Sequence, residues 1–329
     1  MPPLVLVSGA NGFLGRHLVA ELVGRHYAVR ALVRPGTAPP FPAAWPVQYH
    51  AADLARPAAL AGAADGCAAI IHAAALAQVN PARHPAVWAV NLGGTEAVLG
   101  LARQAGVGRL VYVGTANVFG FGPRARPGDE TRPYAGRRYG LDYMDSKRAA
   151  TDAVLRAVQQ EQLPAVLVHP TFMLGPGDAK PTSNALLLEL YRGRLPGYPP
   201  GGKNYVHVRD VATATVNALH RGRIGESYIL GNQNLTYRDA FRLMARELGV
   251  APPRWPLPAA LAQLYGRFCD LQARRTGRPA RLNAAMAAVA NDGHYFSPQK
   301  AQAELALPQT PVAQAVREAF AWFRTHRYV

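Results

Sequence analysis

LVLVSGANGFLG, residues 4–15, is an apolar run that breaks at Gly9, Gly12 and Gly15 and then opens onto RHLVAELV. The stretch reads as a buried strand over 4–8, a tight glycine turn and a helix over 13–24. A junction of this kind makes an anion site out of backbone alone. Free N–H groups at the helix N-terminus, with the positive end of the helix dipole, favour a pyrophosphate. Gly9 permits the turn, Gly12 lets backbone approach the phosphates, and Gly15 allows the helix to pack closely on the strand. Asn11, Phe13 and Leu14 complete the candidate cofactor-binding turn. The G-x-x-G-x-x-G spacing differs from the G-x-G-x-x-G dinucleotide fingerprint. Its weight comes from standing at the first strand-to-helix turn of the chain.

Outward from this turn, strands are expected over 28–33, 47–50, 68–72, 109–113 and 165–168, and helices over 57–63, 86–105 and 143–161. Such alternation implies parallel βαβ units with helices on both faces of a sheet. After Pro170 the rhythm changes. Residues 174–203 are rich in Gly and Pro around a short helix at about 183–192, and strands at 204–208 and 227–230 flank a helix at 209–221. From 236 the chain is mostly helical, with prolines punctuating 252–258. The expected fold is α/β: a Rossmann-type doubly wound parallel sheet with a smaller, mostly helical substrate-binding cap. The sheet domain would take 1–171 plus about 204–231, and the discontinuous cap 172–203 plus about 232–329. The ligand belongs in the cleft between them, beyond the carboxyl ends of the strands.

The 329 residues, 49% hydrophobic and 17% charged, suit a folded chain with a sizeable core and exclude wholesale disorder. No uncharged apolar stretch reaches the ~18 residues of a membrane span. The N-terminal apolar run lacks the basic flank of a signal peptide and continues into the glycine turn. A cytoplasmic protein without a membrane partner is expected. Cys67 and Cys269 lie far apart, with neither C-x-x-C nor metal-ligand spacing, and read as reduced thiols; no metal site is expected. The formal charge of +16, from 36 basic and 20 acidic residues, raises the question of nucleic acid. The arginines are scattered, and no zinc-finger, arginine-rich tail or RNA-binding aromatic signature accompanies them. A bias towards Ala, Arg and Pro accounts for the excess without a nucleic-acid partner, and part of it can attract an anionic cofactor or substrate.

In a dinucleotide fold the end of the second strand reads the adenosine ribose. An acid there binds the 2′-hydroxyl, and an arginine accommodates a 2′-phosphate. Here the segment is VRALVRPG, residues 29–36, with no carboxylate and with Arg34 directly after the strand. A guanidinium suits a phosphate, so NADP(H) is favoured, with NAD(H) the alternative. Asp53-Leu54 follows the third strand and could offer a carboxylate to the adenine, although Asp before Arg56-Pro57 also reads as a helix cap. Ala73, Ala74 and Ala75 end the fourth strand in small side chains that admit close approach of a cofactor. His72 beside them reads as a core or rim histidine rather than a base.

Tyr143 and Lys147 stand four residues apart, on one helix face. A free tyrosine has a pKa near ~10, and a neighbouring Lys charge with a nicotinium charge would bring it towards the working range. Tyr139 lies one turn earlier but has Tyr143, not a lysine, at i+4. Thr115, in VYVGTANVFG after the fifth strand, could donate to a substrate oxygen while Tyr143 transfers its proton.

With these residues assembled, the chain resembles the extended short-chain dehydrogenase/reductase family, in its NAD(P)-dependent epimerase/dehydratase branch. The resemblance runs through the glycine turn, Asp53-Leu54, the HAAA run, Asn91 in AVNLGGT, Thr115, Tyr143, Lys147, His169-Pro170-Thr171 and YVHVRDVA at 205–212. It implies that Thr115, Tyr143 and Lys147 are catalytic, that Lys147 also meets the nicotinamide ribose, that Asn91 lies in the helix beneath the active site, and that Pro170 and Thr171 line the nicotinamide pocket. It also implies dimerisation through helices of the Rossmann domain. One departure is Gly114, where many relatives carry a second serine.

Within the branch, nucleotide-sugar epimerases usually carry an amide where Phe172 stands, and a basic residue for the diphosphate where Lys203 stands. The tail, with GRLPGYPPGGKNYVHVRDVA and ESYILGNQNLTYRDAFRLMARELG, is more similar to dihydroflavonol-reductase and hydroxysteroid-dehydrogenase-like members. The apolar segments 257–271 and 282–290 would then wall a lipophilic substrate. The expected function is NADP(H)-dependent interconversion of a small-molecule carbonyl and alcohol, with Tyr143 as acid/base. The alternatives are a nucleotide-sugar epimerase or dehydratase and, more remotely, a non-catalytic NADP-binding sensor.

Overall fold

The computed structural model describes residues 2–37, 41–276 and 283–329. The first half follows the expected alternation. Strand β1 (Leu4–Ser8) leads into helix α1 (Phe13–Gly24), β2 (Ala28–Val33), β3 (Val47–Ala51) and β4 (Ala69–His72). The segment read as a helix at 57–63 is a short 3-10 turn, Pro57–Leu60. The helix expected over 86–105 is α2 (Pro85–Trp88), a π-helical turn (Ala89–Gly93) and α3 (Gly94–Gln104) in succession. Then come β5 (Arg109–Val113), α4 (Asp142–Glu161) and β6 (Ala165–Pro170). With β9 (Ser227–Leu230), these strands form a seven-stranded parallel sheet in the order β3-β2-β1-β4-β5-β6-β9. The order reverses between β1 and β4, which opens a crevice at their carboxyl ends.

The strands are apolar throughout because both faces are covered. Val5, Val7, Val29, Ala31, Ile71, Val111 and Val166 face one way, against Leu14, Leu18 and Leu22 of α1 and Val211 and Ala218 of α6 (Val208–Arg221). Leu6, Leu32, Ile70, Leu110 and Leu167 face the other way, against Val98 and Ala102 of α3 and Ala150 and Val154 of α4. The alternation is that of side chains along a strand.

The cap holds a second sheet that its helical reading did not foresee. After Pro170 the chain forms β7 (Phe172–Leu174) and α5 (Ala185–Tyr191), and β8 (Gly202–His207) then pairs in parallel with β7. β10 (Gln233–Thr236) adds antiparallel to β8, and β11 (Gly293–His294) pairs with its start. The strand read at 204–208 thus belongs to the small sheet, while α6 and β9, which follow it, cover and extend the large one. Helices α5, α7 (Tyr237–Leu248) and α11 (Val312–Thr325) bury Leu187, Leu190, Phe241, Met244, Val312 and Val316 with Tyr205 of β8. Helix α8 (Ala259–Thr276) packs on α9 (Ala284–Asn291), and α10 (Gln299–Leu305) returns to α6.

The two sheets meet at Asn204, which is buried. Its Oδ1 accepts from the Thr171 hydroxyl at 2.8 Å and the Asn232 N–H at 2.9 Å. Its Nδ2 donates to Asn234 Oδ1 at 2.8 Å and to the carbonyls of Asn232 and Phe296, each at 3.2 Å. A buried amide so completely paired ties strand ends of both sheets into one junction.

Candidate active site

The glycine turn is built by sterics. Gly9 has φ +69°, and a Cβ there would lie 2.7 Å from the Ala74 Cα. A Cβ on Gly15 would lie 2.0 Å from the Gly9 carbonyl oxygen, so only glycine lets α1 start this close to β1. Gly12 caps α1 with no side-chain hydrogen bond, and no acidic residue occupies the first turn. The helix start is therefore open to an anion, and the cradle fits a dinucleotide pyrophosphate.

Strand ends bring the other cofactor candidates to the same edge. Arg34 is exposed directly after β2. Asp53, after β3, accepts the Ala55 N–H at 3.0 Å, which commits one carboxylate oxygen to a local turn. Leu54 is buried and would meet a Cβ on Gly94 at 3.1 Å. Leu14 is core rather than rim, Phe13 is half-buried against it, and the Asn11 carbonyl accepts from Arg16 Nε at 3.3 Å. Ala73 and Ala74 pass over Gly9, while Ala75 is exposed beyond them.

A buried hydrogen-bond chain holds that passage. The Thr95 hydroxyl donates to the Asn91 carbonyl at 2.6 Å, so it accepts from His72 Nε2 at 3.1 Å. His72 Nδ1 then accepts from the Ser8 hydroxyl at 2.6 Å, which leaves the Ser8 oxygen to accept the Ala74 N–H at 3.2 Å. Burial and the Lys147 charge press the His72 pKa down to about 3, so the ring is neutral and structural. Asn91, in the π-turn, is buried: its Oδ1 accepts the Leu76 N–H at 2.8 Å and its Nδ2 donates to Ser146 Oγ of α4 at 3.1 Å. It therefore joins the loop after β4 to the helix that carries the tyrosine.

Thr115, Tyr143 and Lys147 converge beyond β5. Lys147 is buried, donates from Nζ to the Val113 carbonyl at 2.7 Å and lies 4.5 Å from the centre of the Tyr112 ring. Burial lowers its pKa to about 7. Burial raises the Tyr143 pKa, and the nearby Thr115 hydroxyl offsets part of the rise. The Lys147 ammonium is turned to the Val113 carbonyl and the Tyr112 ring. Tyr143 shares an apolar cluster with Tyr139, Leu141, Met144, Phe121 and, from α9, Ala285, Ala288 and Val289.

Residues 5–231 match the family described as "NAD dependent epimerase/dehydratase family". The chain belongs to that family. A Synechocystis protein named "Putative dihydroflavonol 4-reductase" is 30% identical over 334 residues, covering 100% of this chain and 97% of its own. The "Sterol demethylase protein B" of Methylococcus capsulatus is 28% identical over 325 residues, 97% of this chain and 98% of that one. Among solved structures, that of gox2253 is 34% identical, with a TM-score of 0.86 over 98% of each chain. The protein is an NAD(P)-dependent enzyme of the extended short-chain dehydrogenase/reductase type, with a Rossmann-type fold.

For a member of the epimerase/dehydratase family, Gly114 is the departure noted above, and its cause is His169. A Cβ at 114 would lie 2.3 Å from His169 Nδ1. The imidazole is buried, stands edge-on to Phe119 with ring centres 4.8 Å apart, and bonds Ser227 Oγ through Nε2 at 3.2 Å. It fills the space a second serine would use, directly behind Thr115. Pro170 and Thr171 follow it, and the Thr171 hydroxyl is taken by Asn204.

One expectation is revised beside the tyrosine. Tyr139, passed over in favour of Tyr143, donates to Asp292 Oδ2 at 2.5 Å and lies 3.2 Å from His294 Nε2, so it ties the tyrosine helix region to residues 292–294. His294 Nδ1 in turn lies 3.3 Å from Asn117 Oδ1, two residues after Thr115. Asp292 and His294 escaped the sequence reading because neither stands in a motif. Within the segment 282–290, whose first residue lies outside the described ones, Ala285, Ala288 and Val289 of α9 join the cluster around Tyr143. The large side chains of 257–271 face solvent instead: Leu261, Leu264, Phe268 and Leu271 are 49–64% exposed.

Replacing Gly114 by Ser should destabilise the fold by ~1–3 kcal/mol through overpacking. Adding His169→Ala should recover part of that loss, and a double-mutant cycle from urea melts checks the coupling. The histidines also predict an acid response. His72 and His169 both lie near pKa 3 in the fold, lowered by burial from the ordinary 6.5. Unfolding takes up a proton on each between these values, so their contribution is full above pH 6.5 and is lost as pH falls towards 3. The slope approaches about 1.4 kcal/mol per pH unit for each ring. Urea midpoints measured from pH 7 to pH 4 should follow it, and His169→Ala should make it shallower.

Proposed function

We propose that the protein is an NADP(H)-dependent carbonyl reductase or alcohol dehydrogenase acting on a lipophilic small molecule. The observation that carries this reading is the convergence of Thr115 and Tyr143, one helical turn from buried Lys147, beside the apolar cluster of Phe121, Ala285, Ala288 and Val289. Gly9, Gly12 and Gly15 would hold the pyrophosphate, Arg34 the 2′-phosphate, and Lys147 the ribose nearest the nicotinamide. The bound cofactor supplies hydride exchange with a carbinol carbon. The protein supplies the proton: Tyr143 gives it to the substrate oxygen in reduction and takes it back in oxidation. Thr115 donates a hydrogen bond to the same oxygen. The chain from Asn91 through Ser146 holds the helix that carries Tyr143. The names of the two relatives, a reductase and a sterol-pathway protein, support a reductase with an apolar substrate.

A nucleotide-sugar epimerase or dehydratase is the second reading, since the family name includes both reactions. Lys203 favours it, as the basic residue that stands where such enzymes meet the diphosphate. Phe172 weighs against it, for its ring lies 5.3 Å from that ammonium where an amide would be wanted. A non-catalytic sensor would need the glycine turn but not a tyrosine brought together with a threonine and a buried lysine.

Turnover of a ketone, alcohol and nucleotide-sugar panel with each cofactor separates these readings. On an active ketone, Tyr143→Phe should leave cofactor affinity near the parent value and lower kcat by about 10²–10⁴-fold. Full activity in that variant would remove Tyr143 as proton donor. Arg34→Ala should weaken NADPH binding by roughly 1.5–3 kcal/mol, the worth of a charge-assisted contact, and barely touch NADH. Equal affinity of the parent protein for both cofactors would contradict the NADP(H) assignment.

A further inference from the structure

Helix α8 carries its large apolar side chains outward. Leu261, Leu264, Phe268 and Leu271 are 61%, 64%, 60% and 49% exposed, and Tyr265 beside them is 59% exposed. Trp255, in the segment leading to the helix, is 71% exposed. The spacing places the helical residues on one face. The opposite face, with Ala262, Gly266, Cys269 and Ala273, is the more buried one, and α8 packs on α9 closely enough that a Cβ on Gly266 would lie 2.8 Å from Ala284 backbone. The helix therefore has a core face of small residues and a separate apolar face open to water. An exposed apolar stripe of this kind marks an interaction surface.

Charge says what covers it. Residues 254–281 contain six arginines and one acidic residue, Asp270, whose Oδ2 accepts the Ala284 N–H at 3.1 Å. Arg254, Arg267 and Arg275 are exposed. A second copy docking symmetrically on the stripe would set this arginine fringe against itself. An anionic surface with an apolar interior satisfies both features at once, and Trp255 and Tyr265 suit its polar–apolar boundary.

We propose that α8 docks the protein on an anionic lipid bilayer. Its apolar stripe enters the boundary between headgroups and acyl chains, and its arginines meet the lipid phosphates. This is a surface mode, distinct from spanning: no helix among the described residues is long and apolar enough to cross a membrane. It revises the expectation of no membrane partner, which considered only spans and signal peptides. The proposal stands whatever reaction the site performs. It also places α9, which lends Ala285, Ala288 and Val289 to the cluster around Tyr143, just behind the docked helix.

Co-sedimentation of the full chain with vesicles tests it. Vesicles of phosphatidylcholine mixed with phosphatidylglycerol should bring the protein down, with partitioning about tenfold or more weaker on phosphatidylcholine alone or in high salt. The double variant Leu264→Ser, Phe268→Ser should lose about tenfold or more of the binding. Its Tm should hold, because both side chains are already in water. Arg267→Gln with Arg275→Gln should weaken binding to the anionic vesicles alone. No binding to the mixed vesicles, equal binding to both vesicle types, or unchanged binding by the double variant would overturn the proposal. So would sedimentation velocity showing a dimer that the double variant converts to monomer, which would give the stripe to a second copy.

Discussion

Helix α1 starts so close to the end of β1 that a Cβ on Gly15 would lie 2.0 Å from the Gly9 carbonyl oxygen. Much else is arranged around this contact. It sets the height of α1 over the sheet, and so where Leu14, Leu18 and Leu22 meet the valines of β1 and β2. It aims the N-terminal N–H groups of the helix at the carboxyl edge of the strands. It also leaves just enough space for the backbone of Ala73 and Ala74 to cross above Gly9. A methyl group at either glycine would have to displace backbone rather than a pliable side chain.

The buried polar groups extend that geometry into the chemistry. Ser8, His72, Thr95 and Asn91 form a single file of donors and acceptors from the glycine turn to the π-turn, and Asn91 continues it to Ser146 on the tyrosine helix. Each member is satisfied by its neighbours, so the file behaves as a spacer between phosphate cradle and catalytic helix. Lys147 is held differently. Its ammonium is buried with one carbonyl and one aromatic face, a poor exchange for water, and its lowered pKa records the deficit.

The large sheet was legible because parallel strands buried on both faces are plain apolar runs: LVLVS, AVRALV and AVLVHP announce themselves. The glycine turn and the Tyr143–Lys147 pair were legible because their spacing encodes their geometry. The small sheet was not. β7, β10 and β11 have three, four and two residues, and QNLT and GH carry no alternation to read. The π-turn was hidden inside a good helical pattern, since one widened turn leaves apolar periodicity almost intact. Asp292 and His294 act across 153 and 155 residues from Tyr139, a pairing that only the folded cap creates. Gly114 could be seen as a departure, but its cause, the His169 ring, needed three dimensions.

Asn204 has a consequence for how the protein opens. With every hydrogen-bonding position of its amide engaged, it works as a rivet rather than a hinge pin. Parting the two sheets would strand several buried polar groups, at about 1–3 kcal/mol for each. Any rearrangement that separated the sheets at this junction would have to break these bonds together.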